Sequence, residues 1–317
     1  MQYLLDTNVY RNLVIGREFN DFQTEIQKIK FSEEINGFKF LFSNAVCIEL
    51  LNHLSSTDSA NNECYKALFY KIRICSDFVN DKLKGNLVPE FNELLSLYFF
   101  KKSSSYFELN NDILKLAFEI TKVNDSKNSL IFQEQIHQII KYKKKELDNI
   151  IQNIENNYLS FFSETKDWSV FKVDRKLKNE FQTMINKKIF HKLLSFALIK
   201  MTFEKEKDFE YKFSNDNISQ FNSDFVLSID FFIQNIWKKF IDMEKIVYFS
   251  NPENDPKKRW NSFYDTQIIM ACEYENIKGR KTILVTSENK ILNQFKRYKR
   301  EEWCMSYKDF KTTIIKY

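Results

Sequence analysis

At 317 residues the chain exceeds a typical single domain, and its 43% hydrophobic and 16% aromatic content supplies enough apolar side chains for packed interiors, which excludes a disordered chain. Four glycines and three prolines leave few punctuators for hairpins, so an all-β architecture is excluded in favour of a mostly helical one. The net charge of +5 fits an ordinary globular protein as well as a nucleic-acid binder, but its distribution is uneven: residues 1–57 carry 5 basic and 7 acidic side chains, residues 246–317 carry 14 and 9.

Five cysteines, Cys47, Cys64, Cys75, Cys272 and Cys304, form no C-x-x-C pair and have no histidine at zinc spacing, so they read as reduced, mostly buried thiols. Met1-Gln2 runs straight into a strand-like segment without the charged and apolar regions of a secretory leader. The most apolar stretch, Leu193 to Phe203, is broken by Lys200, and no membrane span is expected. The expected setting is cytoplasmic.

Along the chain, Tyr3-Leu4-Leu5 is an apolar run ending at Asp6, and Thr7-Asn8 opens a helix, giving strand, turn, helix. Phe38 to Phe42 repeats the pattern, with Ser43-Asn44 starting a helix that carries Val46, Leu50 and Leu54 on one face and Glu49 within it. Residues 58–245 show helical periodicity and little sign of strands. The clearest helix there runs from Leu130 to Phe162, with Ile136, Ile139, Ile140, Leu147, Ile150, Ile151 and Ile154 on one face. Ile246 to Phe249 is a third strand candidate; Pro252 and Pro256 mark a loop, and a helix from about Ser262 to Glu275 holds Asp265 in its first turns. Gly279 closes that helix, Thr282 to Val285 is a β-branched strand, and Thr286-Ser287-Glu288 opens the next helix. Strands alternating with helices imply a parallel sheet whose ligands gather beyond the strands' C-terminal ends.

Four acidic side chains, Asp6, Glu49, Asp265 and Glu288, end or follow these segments and can meet in one cleft. Crowded carboxylates repel unless protonated or bridged, and hard Mg²⁺ or Mn²⁺ is their natural counter-ion. His53, His137 and His191 are isolated, and no Gly-rich phosphate loop is present, so a Ser-His-Asp or Cys-His site has little support.

Leu4-Leu5-Asp6-Thr7-Asn8 resembles the opening strand and D-T-N signature of the PIN-domain nucleases. Ser43-Asn44-Ala45-Val46-Cys47-Ile48-Glu49-Leu50 is similar to that family's second motif, Asp265-Thr266-Gln267-Ile268-Ile269-Met270-Ala271 to the third, and Ile283-Leu284-Val285-Thr286-Ser287-Glu288 to the fourth. The likeness spans 129 residues and leaves 58–245 without a counterpart. It implies an α/β fold, a PIN-like three-layer parallel sheet with flanking helices, formed by residues 1–57 and 246–317 around an all-α insertion at 58–245.

By the same resemblance Asp6, Glu49 and Asp265 are the metal-binding set for Mg²⁺ or Mn²⁺, Asn8 orients Asp6 or a metal-bound water, Ser43 starts the second motif's helix, and Thr286 hydrogen-bonds within the cluster. Glu288 stands where the family has Asp, one methylene longer, as the fourth catalytic acid or as a helix cap. The expected activity is metal-dependent endonucleolytic hydrolysis, of RNA rather than DNA, by a toxin, an antiviral effector or an RNA-processing enzyme. Lys257, Lys258 and Arg259, and further on Lys296, Arg297, Lys299 and Arg300, are candidate phosphate contacts or simply a solvated face. The insertion is compatible with gripping substrate, covering the site, meeting a regulatory protein or forming a homo-oligomer. The rival readings are a catalytically inactive PIN-like nucleic-acid-binding or scaffold protein acting through its insertion, and a phosphatase with Asp6 as nucleophile. The latter chemistry wants a second Asp where Asn8 stands.

Overall fold

The computed structural model describes residues 1–54, 60–79, 82–102, 106–122, 131–162, 170–205, 214–238 and 257–315. In chain order these form β1 (Gln2–Leu5), α1 (Thr7–Val14), α2 (Phe19–Asn36), β2 (Lys39–Leu41), α3 (Asn44–Leu54), α4 (Ala60–Cys75), β3 (Ser76–Val79), β4 (Lys82–Gly85), α5 (Phe91–Phe100) and α6 (Tyr106–Lys122). They continue with α7 (Gln133–Phe162), α8 (Val170–Val173), α9 (Arg175–Ile185), α10 (Lys188–Lys205), α11 (Asn215–Asp224), α12 (Val226–Phe232), α13 (Lys257–Ile277), β5 (Thr282–Thr286), α14 (Asn289–Arg297), β6 (Cys304–Ser306) and α15 (Tyr307–Phe310). The protein is thus mostly helical with a small sheet.

That sheet has four parallel strands in the order β2-β1-β5-β6. Tyr3, Leu4 and Leu5 of β1 are buried, as is every residue of β5, the near-continuous apolar signature of strands covered on both faces. Tyr3, Phe38, Phe40 and Phe310 pack ring against ring at centroid distances of 5.6 to 6.1 Å. The register pairs Leu4 with Leu284 and Leu5 with Val285, which brings the two ends of the sequence side by side at the strands' C-terminal edge. From β1 the chain order runs outward to β2 on one side, while β5 and β6 lie on the other. The order therefore reverses between β1 and β5, and parallel sheets bind ligands at such a point.

Two compact units divide the chain: residues 1–94, 103–140 and 267–317 form the first, residues 95–102 and 141–266 the second. Of the insertion expected at 58–245, residues 58–94 and 103–140 fall in the first unit. The reason is packing: α4 lies against α1 and α3, and its Cys64, Tyr65, Leu68, Tyr70, Ile72 and Ile74 are buried. That stretch also holds strands the sequence does not signal, the antiparallel pair β3 and β4. Phe42 N donates to Asn86 O at 2.7 Å and Val88 N to Phe42 O at 3.0 Å, extending the edge beside β2. The long helix expected from Leu130 begins at Gln133; Ile136, Ile140, Leu147 and Ile150 are buried, and the side chains of Ile151 and Ile154 lie outside the described residues. The strand expected at Ile246 to Phe249 also lies outside them. Among the described residues no helix is long and apolar enough to cross a membrane. Cys47, Cys64, Cys75 and Cys272 are buried free thiols, and burial pushes the Cys47 thiol up to about 12.

Candidate functional site

Asp6 is the residue where β1 hands over to α1. Its backbone is extended and occupies the N-cap position, yet its side chain forms no capping bond to the helix, so the ordinary reason for an Asp there does not hold. Its amide is fixed by Val285 O at 3.0 Å, and Thr286, the last residue of β5, donates its hydroxyl to Asp6 Oδ2 at 2.8 Å. The same hydroxyl accepts from Glu288 N at 3.0 Å, which leaves its one proton directed at Asp6. The carboxylate is 2% exposed. Burial, then the charge of Glu288, raises its pKa to about 6 against the relief given by Thr286, the Thr7 amide and Lys290.

Glu49 reaches the same place from α3. Ser43 starts that helix, its hydroxyl accepting from Val46 N at 3.4 Å and its carbonyl from Cys47 N at 3.2 Å. Buried Thr7 donates to Glu49 Oε2 at 2.5 Å. Burial first and Asp6 second push the Glu49 carboxyl up to about 7, Thr7 and Arg11 pulling the other way and Glu288 adding to the rise. Arg11, one turn along α1 from Thr7, also faces Glu63 at 3.8 Å, and its Nε has no hydrogen-bond partner among the described residues.

Glu288 occupies the N-cap position of α14 without a capping bond. Asn8 Nδ2 donates to its Oε1 at 2.8 Å and Lys290 Nζ to its Oε2 at 2.9 Å, so both oxygens are engaged. Asp6, Asn8, Glu49, Thr286 and Glu288, chosen from the sequence, therefore do meet at the C-terminal edge of the sheet. Asp265 is buried in α13 and belongs to the second unit; Lys257, Lys258 and Arg259 open that helix, with side chains outside the described residues.

Sequence reasoning passes over Thr7, Arg11 and Lys290. Thr7 lies inside the Asp6-Thr7-Asn8 stretch. Lys290 carries a signal of its own, because a cation in a helix's first turn opposes the helix dipole unless a carboxylate is at hand.

Two buried carboxyls that both titrate near neutrality can exchange protons with water or share a cation. Carboxylate oxygens are the donors that hard divalent ions such as Mg²⁺ or Mn²⁺ take. Among the described residues, no three His, Cys, Asp or Glu side chains are grouped closely enough to hold one. Compared with family models, curated proteins and solved structures, the chain matches none.

The Thr286 hydroxyl is the testable link in this cluster. Thr286→Val should raise the Asp6 pKa further and destabilise the protein by roughly 1–3 kcal/mol, since the Glu288 amide also loses its acceptor. Carbon-detected NMR titration of the Asp6 carboxyl together with a denaturant melt reads both effects; an unmoved pKa would show the bond to be idle.

Proposed function

We propose that this protein is a PIN-like, divalent-metal-dependent endonuclease acting on RNA. The observation that carries the reading is the Thr286 to Asp6 hydrogen bond between residues 280 positions apart, at the point where the sheet's strand order reverses. It ties the first and fourth segments that resemble the nuclease motifs into one acidic site, and Glu49 joins it through Thr7. Asp6 and Glu49 would hold the ion. Bound there, Mg²⁺ or Mn²⁺ supplies Lewis-acid activation of a water and neutralises charge on the phosphodiester oxygens. Thr286 and Thr7 each direct a proton at one carboxylate, favouring its ionised form and fixing its rotamer. Asn8 and Lys290 hold Glu288 at the edge of the cluster, where it supports Asn8 rather than acting as a ligand.

The test is hydrolysis of an end-labelled single-stranded RNA with Mn²⁺ or Mg²⁺ against an EDTA control. Cleavage that requires the ion supports the reading, whereas a scaffold protein would give no cleavage and no change of melting temperature with metal. In the same assay Glu288→Gln should lower the rate by less than about tenfold, or about 1.4 kcal/mol. A larger loss would move Glu288 into the ligand set.

A further inference from the structure

The second unit carries a basic face that the carboxylate cluster does not use. Residues 175–192 hold six basic side chains, Arg175, Lys176, Lys178, Lys187, Lys188 and Lys192, against one carboxylate, Glu180. Helix α9 turns its apolar side inward: Phe181 and Ile185 are buried, and the Phe181 ring lies 4.8 Å from that of Phe171 and 5.9 Å from that of Phe190. Asp174 caps the helix by accepting from Leu177 N at 2.9 Å, so the outer face is presented on a fixed element. There Arg175, Lys176, Asn179, Glu180, Thr183, Met184 and Lys187 line an open groove of about 660 Å³, three cations against one carboxylate.

Three features point to what the groove holds. Arg175 and Asn179 lie one turn apart on α9 and Lys187 follows just past its end at Ile185, which spreads cationic and amide donors along the groove as a run of anionic oxygens requires. Among the described residues Arg175, Lys176, Lys187 and Lys188 form no ion pair, so their charges are not spent within the fold. Arg175 and Lys176 also stand in the first turn of α9, where the helix dipole disfavours cations, so helix stability does not account for them. The groove lacks the aromatic anchors that protein partners use, Met184 being its one apolar side chain.

We infer that the groove of α9 and its turn into α10 docks the phosphodiester backbone of a nucleic-acid strand without reading its bases. The choice of polymer rests on the nuclease reading; the surface itself rests on the groove and its unpaired cations. Phosphates accept from Arg175, Lys176 and Lys187, and the Asn179 amide donates between them.

Fluorescence anisotropy tests this with the full chain in EDTA, so that hydrolysis plays no part. The probes are a labelled oligoribonucleotide of about 20 nucleotides, a duplex of the same length and poly-glutamate, between about 50 and 200 mM salt. R175Q/K176Q/K187Q should weaken single-strand binding at least tenfold and flatten the slope of log Kd against log salt by about 2, at roughly 0.7 for each phosphate no longer neutralised. Lys28→Gln, Lys115→Gln and Lys278→Gln, exposed cations of the first unit, should leave both nearly unchanged. Lys176→Gln alone, a milder change should the triple variant misfold, should flatten the slope by about 0.7. Unchanged affinity and slope in the groove variants would overturn the proposal, as would an equal loss in the control or tighter binding of poly-glutamate than of RNA. Groove-dependent binding without any metal-dependent cleavage would sink the nuclease reading and leave this one standing. Cleavage with groove-independent binding would do the reverse.

Discussion

Asp6→Asn is expected to lower metal-dependent RNA cleavage by on the order of a thousandfold or more, about 4 kcal/mol of lost transition-state stabilisation, while the metal-free protein melts no lower than wild type at neutral pH. The two halves of the expectation come from one environment. Asp6 is 2% exposed, and burial and Glu288 oppose its charge, so the carboxylate is a liability to the fold unless a cation is present. Asparagine keeps the shape and an oxygen that can accept from Thr286, and it removes the charge. A variant that cuts as fast as wild type would remove Asp6 from the chemistry. A variant that loses cutting only because it unfolds would show up as a lowered melting temperature, the opposite of the expected sign.

Much of this arrangement is legible before any coordinates. The runs Tyr3 to Leu5 and Thr282 to Val285 read as strands because continuous apolar and β-branched segments suit a sheet covered on both faces, and both are buried. The helices after Asp6, Ser43 and Glu288 follow from the polar starts before periodic apolar residues. Three strands escape notice for a common reason: β3, β4 and β6 are as short as β1 and β2 but lack their continuous apolar run. The side chains of β3 and β4 include Asp77, Lys82 and Lys84, which in a sequence look like loop. Boundaries between units are harder still. α4 is a helix like those of the expected insertion, and only its packing against α1 and α3 places it with the sheet. Periodicity reports that a helix has an apolar face, and is silent on which surface covers it.

The second large effect is a stability that falls as pH rises through neutrality. For Asp6 the ordinary carboxyl value of 3.8 becomes about 6 in the folded chain, and Glu49 moves from 4.5 to about 7, both chiefly through burial. Both shifts are upward, so between roughly pH 4 and 7 the folded state holds protons that the unfolded state has released, and stability declines with each unit of pH across that window. For Asp6 alone the loss is about 3 kcal/mol at roughly 1.4 kcal/mol per unit. The pair loses less than twice that, because their mutual repulsion is counted once. In EDTA the first unit should therefore melt about 5 °C or more higher at pH 5.5 than at pH 8 by differential scanning fluorimetry, on the part of the profile that Asp6→Asn flattens. Mn²⁺ should recover the difference at pH 8 and do little at pH 5.5, where protons already neutralise the carboxyls. A metal-free profile that is flat or rises between pH 5.5 and 8 would contradict the electrostatic picture. A falling profile indifferent to Mn²⁺ would keep the crowded carboxyls and discard the ion, because the same repulsion that makes the empty site costly is what gives a cation its affinity.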